Sequence, residues 1–365
     1  MRSAGLATAT DVVALLTCVQ SQEQAQALWS LGMRTPGLDE AAVRRELDEA
    51  RFVRTHILRP TWHFVAAADV RWLQALTAPR VQQANATQFR RTDLTPAVLD
   101  RAAGLILDAL AGGRYQSRPE LAAVLRAGGI EADGQRLAYV LMHAELEALV
   151  CSGPLRGTTS TYAVLDERIP PTPAMPAEAM LAELTWRFFS GHGPAEVKDF
   201  TRWSSLTISQ ARAGLELIGD RLQRVVVDGL ELWYDPLRGG ALADGEPDPP
   251  EQHAGTPVLL TPLYDEVTLS YPRLNFPIAS NHPHPPGYDT YTGSVLAGTQ
   301  NIGAWRRTVR ARRVAVETWL APGLSPATVT AVDSAAQRLA AFLGRELELV
   351  PPGPPPARNR TPQRA

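Results

Sequence analysis

The sequence predicts an α+β protein: three tandem winged-helix (helix-turn-helix plus β-hairpin) domains followed by a C-terminal β-rich domain. Two observations carry that prediction. Three successive segments repeat one order of elements, two or three helical patterns and then a β-hairpin, which is the winged elaboration of the helix-turn-helix. Beyond Asp235 the composition changes, first to a Gly-, Pro- and acid-rich run and then to β-branched and aromatic alternation. With 45% apolar and 20% charged residues among 365, the chain has the composition of a globular protein with a real core.

The first module, 1–92, has helical patterns over 11–19, 23–31 and 39–49, then strands over 52–58 and 61–65 turning at Arg59-Pro60. In the second, 93–172, Thr95-Pro96 opens a helix with proline at its first position, and Gly112-Gly113 closes it. Ser117 with Glu120 has the spacing of a capping box. A helix over 135–149 then leads to strands over 150–152 and 161–165 through Gly153-Pro154. The third module, 173–238, places helices over 176–189, 194–203 and 207–218. Its hairpin, 222–227 with 230–234, turns on Asp228-Gly229. Residues 239–257 read as a linker and 258–350 as the β-rich domain, with strands in 258–269 and 291–320 under a helix over 326–343. The Pro- and Arg-rich end, 351–365, is expected to be disordered.

Several function classes fall away on composition. Two cysteines, Cys18 and Cys151, support neither a disulfide framework nor a thiolate zinc site, and the seven histidines are scattered. No cofactor is implied. His282-Pro-His284 has a metal-capable spacing without an accompanying ligand cluster. Lys198 is the only lysine, so a Schiff-base mechanism has one candidate. The apolar run 12–19 is far short of the roughly 20 residues of a membrane helix, and no signal cleavage site follows it. A soluble, cytoplasmic protein is expected. Charge is uneven along the chain. Residues 161–270 carry 8 basic and 17 acidic groups, whereas 271–365 carry 11 and 5, so nucleic-acid contact is expected locally in the last third.

The most unusual local feature is Val19-Gln20-Ser21-Gln22-Glu23-Gln24. Ser21 with Gln24 fits a capping box, which would set Gln20 and Gln22 at a helix N-terminus. On residue type alone, an exposed glutamine run is the plainer reading. Three further blocks stand in order: Arg54-Thr-His-Ile-Leu-Arg59-Pro-Thr-Trp-His63-Phe-Val65, Leu73-Gln-Ala-Leu-Thr-Ala-Pro79-Arg80, and Gln135-Arg-Leu-Ala-Tyr-Val-Leu-Met-His-Ala-Glu145-Leu. Gly191-His-Gly-Pro194, Leu260-Thr-Pro-Leu-Tyr-Asp265-Glu266 and Gly303-Ala-Trp305-Arg306-Arg307-Thr308 follow. In order and spacing these resemble the AlkZ/YcaQ family of DNA glycosylases, from about residue 10 to 350.

The resemblance implies a concave DNA clamp of winged helices that cleaves N-glycosidic bonds of alkylated purines and unhooks interstrand crosslinks. It makes Gln20 and Gln22 the catalytic pair of a Gln-x-Gln motif, with Ser21 where the antibiotic-resistance branch has an aliphatic residue. It implies double-stranded DNA with alkylated or crosslinked purines as partner, bound by a monomer that does not engage a membrane. Arg59, His63 and Arg80 are then candidate DNA-binding residues, as are Arg273 beside an expected minor-groove hairpin and the cluster Arg306, Arg307, Arg310. If 306–313 is one strand, Arg306, Arg310 and Arg312 share a face and Arg307 and Arg313 the other. Glu23 has a plain role at the helix start. The tryptophans, including Trp29, Trp62, Trp72 and Trp203, read as packing residues. A non-catalytic winged-helix DNA binder is the alternative function, and a glycoside-type hydrolase using Asp265 or Glu266 with a second carboxylate nearby a more distant one.

Overall fold

A capping box opens the first element. The Thr8 hydroxyl accepts from the Asp11 amide while the Asp11 carboxylate accepts from the Thr8 amide, starting α1 at Ala9–Leu16, two residues ahead of the expected start. The helix also ends early. Thr17 takes a φ of 68° and donates its N–H to Ala14 O, and Cys18–Gln20 leaves as a strand, β1. Val12, Val13 and Leu16 of the helix and Cys18 and Val19 of the strand are buried, so the apolar run continues across the boundary with nothing in residue type to divide it.

The computed structural model describes residues 6–238, 257–271 and 293–351. Its contacts group the chain into two units, one of residues 4–22 and 42–243, the other chiefly of 23–41 and 244–365. The segment expected as one module, 1–92, therefore contributes to both: α2 (Gln24–Gly32) belongs with the C-terminal sheet.

In the larger unit, α3 (Glu40–Asp48) sends Glu46 to the amides of Ala9 and Thr10, the open N–H groups at the start of α1. The hairpin β2 (Phe52–His56) and β3 (Trp62–Ala66) follows, and β1 pairs with it in the antiparallel order β1-β3-β2. Gln20 and Thr55 thus sit opposite His63 on either side. Next comes α4 (Val70–Arg91), a helix of 22 residues that runs through Pro79.

The second module is α5 (Pro96–Leu110), β4 (Gln116–Ser117), α6 (Arg118–Ala127), α7 (Gly134–Leu146), β5 (Val150–Ser152), β6 (Thr161–Val164) and α8 (Leu165–Arg168), around Ile106, Leu110, Leu121, Leu125 and Leu141. Thr95 and Ser117 cap their helices as the sequence indicates. In the third, α9 (Ala177–His192), α10 (Val197–Ser204) and α11 (Ile208–Ile218) precede the hairpin β7 (Gln223–Val227) and β8 (Leu230–Tyr234). Asp228 and Gly229 both take positive φ, as a two-residue primed turn requires. Phe188, Phe189, Phe200 and Trp203 pack its core with ring centroids about 5 Å apart.

Two glycines in this unit predict opposite responses to the same change. A Cβ at Gly191, on α9, would run into the main-chain oxygen of Leu15, whereas one at Gly104, within α5, meets open space. Gly191→Ala is expected to lower stability by about 1–3 kcal/mol through forced displacement of backbone. Gly104→Ala should raise it by about 0.5–1 kcal/mol through helix propensity. Urea midpoints of the two variants check both signs.

In the smaller unit, β9 (Val258–Thr261), β10 (Gly293–Ala297), β11 (Gln300–Val309), β12 (Arg313–Leu320) and β13 (Glu346–Val350) form one sheet in the order β13-β12-β11-β10-β9. All pairs are antiparallel except β13 with β12. The region 258–269 is not one strand: β9 stops at Thr261, and Asp265 caps the short α12 (Glu266–Leu269) by accepting from the Val267 amide. A helix, α13 (Pro326–Phe342), lies against the sheet, and Trp29 of α2 packs on its Phe342 at 5.3 Å. The strand β13 had no counterpart in the sequence reading. Among the described residues no helix is long and apolar enough to cross a membrane. Arg273, His282, His284, most of the linker and nearly all of the tail lie outside the described residues.

Candidate active site

Gln20 is the last residue of β1, not part of a helix start. The ladder to β3 decides this, because the Ser21 amide continues it by donating to Trp62 O at 2.7 Å. Ser21 does not act as the helix cap, because its buried Oγ accepts from no amide and the helix starts three residues further on. The helix α2 begins at Gln24 with Glu23 before it and no side-chain cap. Ser21 is fully buried.

The Gln20 side chain is nearly buried, at 8% exposure, and its Oε1 accepts from Arg59 Nη2 at 2.8 Å. Arg59 sits on the turn between β2 and β3, where the chain bends tightly: the Arg59 amide donates to Ile57 O and the Thr61 amide to Arg59 O. Leu58 between them takes a φ of 57°, costly for a branched residue with a Cβ, and is held there by a bond from its amide to Thr77 Oγ1. From that turn the guanidinium also donates to Trp203 O at 3.2 Å and lies 3.2 Å from His63 Nε2. His63 is fully buried and its Nδ1 is 3.0 Å from Thr61 O. Structure therefore brings three of the sequence-derived candidates, Gln20, Arg59 and His63, into one hydrogen-bonded group.

Gln22 is exposed, two residues further on. A residue missed in the sequence reading fixes its backbone. Arg54 of β2 lies 4.2 Å over the Trp62 ring and donates to the carbonyls of Ser21 at 3.0 Å and Gln22 at 3.4 Å. Strand alternation from Phe52 places Arg54 on the face of Trp62, and that was the available signal. Behind it His56 Nδ1 and the Glu145 carboxylate form a buried hydrogen-bonded pair with Trp62 alongside, and Gln74 bridges Thr55 Oγ1 to the Glu145 carbonyl.

The other candidates divide. Arg80 is exposed on α4, donates to Ser205 O and lines a cleft with Arg202 and the start of α11. In the smaller unit the basic cluster is not one strand, because β11 ends at Val309 and β12 begins at Arg313. Arg310, Arg312 and Arg313 therefore gather, exposed, at a hairpin tip, and the expected alternation does not apply. Arg306 is committed to Glu317 across the strands, at 2.8 and 2.7 Å, and lies over Trp319. Arg307 is half-buried, donates to Ala25 O at 2.7 Å, and burial lowers its proton affinity. Trp29, Trp72 and Trp203 are buried packing residues, while Trp62 is partly exposed.

Chemically, the site offers two neutral amides two residues apart in sequence, one rigidly held and one accessible. An amide carbonyl accepts a hydrogen from water, and its NH₂ donates to an oxygen. Neither of the two thiols can add a nucleophile here: Cys18 and Cys151 are buried, and burial pushes Cys151 up to about 12. Among the described residues no group of three or more His, Cys, Asp or Glu could hold a metal ion.

Comparison with known proteins bears on this arrangement. Residues 13–342 match the family model described as DNA glycosylase AlkZ-like. The interstrand DNA cross-link repair glycosylase of Streptomyces sahachiroi is 26% identical over 239 residues, which is 61% of this chain and 62% of that protein. The solved structure of Streptomyces sahachiroi DNA glycosylase AlkZ superposes with a TM-score of 0.74 at 22% identity, covering 94% of each chain.

Proposed function

The chain belongs to the AlkZ-like DNA glycosylase family, and on that premise we propose that it is a monofunctional glycosylase of N7-alkylated purines that also unhooks interstrand crosslinks. The observation that supports this reading best is the held Gln20 amide, with the exposed Gln22 two residues beyond it. A purine alkylated at N7 is cationic. When its bond to C1′ breaks, the electron pair goes to the base, which leaves neutral and needs no general acid. Water adds at C1′ and its spare proton passes to solvent. What remains is to hold that water and favour the developing sugar cation, and two neutral amides suit this task. Unmodified bases, which lack the charge, leave slowly from such a site.

Gln20 and Gln22 are the proposed catalytic residues, acting on double-stranded DNA as a monomer in the cytoplasm without a cofactor. Arg80 and the exposed tip carrying Arg310 are the proposed backbone contacts. Each phosphate neutralised by an arginine releases counterions. Arg80→Ala should therefore weaken duplex binding alike for all sequences and reduce the slope of log K against log salt by about 0.9. The function itself is tested by base release from duplexes carrying N7-methylguanine or a nitrogen-mustard crosslink. Release of free alkylpurine is expected. Tight, salt-dependent binding with no release from either duplex would favour the non-catalytic binder.

A further inference from the structure

We infer that Arg59 is a positioning residue for Gln20 rather than a DNA-backbone contact, and that it divides the work of the two glutamines. The inference rests on the proposed function and deepens it. Arginine has only donors, so the oxygen of the Gln20 amide must face it, and the amide is locked in one of its two orientations. The histidine fixes the rest. His63 Nδ1 faces the Thr61 carbonyl and must carry the proton there, which leaves Nε2 as the acceptor facing Arg59 Nη2. Both hydrogens of Nη2 are then used, one by Gln20 and one by His63, and Nη1 holds Trp203 O. The strained turn at Leu58 sets the guanidinium at this junction.

Two chemical consequences follow. A charge-assisted bond draws electron density from Oε1 of Gln20, making it a poorer acceptor and its NH₂ a stronger donor. Gln20 is thereby specialised as a fixed donor. Accepting a hydrogen from the attacking water falls to Gln22, whose side-chain oxygen meets no such cation among the described residues and whose backbone carbonyl Arg54 holds.

The test compares Arg59→Ala and Arg59→Lys with the wild type in single-turnover base release at saturating duplex, with affinity measured across salt. A lysine ammonium cannot reproduce the planar fork that reaches three acceptors. Both variants are therefore expected to lose roughly 10- to 100-fold in rate with an unchanged salt slope. Full activity in Arg59→Lys, together with a slope reduced by about 0.9 in Arg59→Ala, would make Arg59 a phosphate contact and overturn the inference. A second measurement needs no substrate. In protein labelled with ¹⁵N-glutamine, Arg59→Lys should shift the Gln20 side-chain amide resonances, assigned by their loss in Gln20→Ala, and leave those of Gln22 in place. Unmoved Gln20 resonances in a folded variant would also overturn it. Absence of base release by the wild type would count against the proposed function while leaving this second measurement to decide the positioning role.

Discussion

Gln20→Ala is expected to lower single-turnover base release from an N7-methylguanine duplex by about 10²- to 10³-fold, the usual effect of removing one preorganised donor from a reacting centre. The held geometry gives this expectation. Gln20 is nearly buried and bonded to a cation, so its amide costs little reorganisation at the moment of reaction. Its removal leaves one Arg59 hydrogen without an acceptor, which should cost about 1–3 kcal/mol of stability. Arg59 keeps Trp203 O and His63, so the turn survives. Gln22→Ala is the cleaner experiment. Gln22 is exposed, so its truncation should change stability by less than about 0.5 kcal/mol, and a rate loss there cannot be laid to unfolding. In the proposed reaction both amides serve one water and one sugar, so the two losses should not add. Glu23→Ala is the control. It precedes α2 and should cost only about 0.3–1 kcal/mol of dipole stabilisation, with no effect on release. Duplex affinity measured in parallel should stay constant, and equal losses of affinity and rate would place the glutamines in binding rather than in chemistry.

The sequence conveyed helix starts and turns wherever punctuation was strong. Thr95-Pro96, the Ser117 and Glu120 pair and Asp228-Gly229 each do the local job their residue types suit, because capping and primed turns depend on neighbours in the chain. It failed where a buried strand follows a helix without a break in the apolar run, as in 12–19, and it assigned no element to the stretch that forms α4, a long helix carrying Pro79 within it. It also misplaced Gln20. A capping box and a strand end followed by a helix share the pattern Ser-x-x-Gln, and only the partner strand β3, more than 40 residues away in the chain, decides between them. The bond from Arg59 to Gln20 was out of reach for a related reason. It depends on the φ of Leu58, and nothing in the residue types around an Arg-Pro turn announces a left-handed leucine.

Asp265→Ala should cost about 3–5 kcal/mol, the penalty for leaving a buried partner charge uncompensated. Both oxygens of this carboxylate are fully used: Oδ1 accepts from Arg34 and from the Val267 amide, and Oδ2 from Arg34 and from the Ser30 hydroxyl. Four bonds exhaust what a carboxylate accepts, and at 1% exposure no substrate reaches it. A glycoside-type hydrolase needs a carboxyl with a free face. Asp265 is therefore a structural device, joining α2 to the turn after β9. Arg34 answers from its side. Burial alone would lower its proton affinity, but the facing Asp265 more than reverses that. Because arginine is not deprotonated in a protein, removing the aspartate leaves a buried cation facing no carboxylate at that position. The loss should appear as faster hydrogen exchange of the β9–β12 amides, a readout confined to the smaller unit and free of any two-state assumption for the whole chain. Replacing both partners, Arg34→Met with Asp265→Leu, should recover most of the loss because no charge is then left buried. A stable Asp265→Ala protein that no longer releases base would instead return this carboxylate to the chemistry.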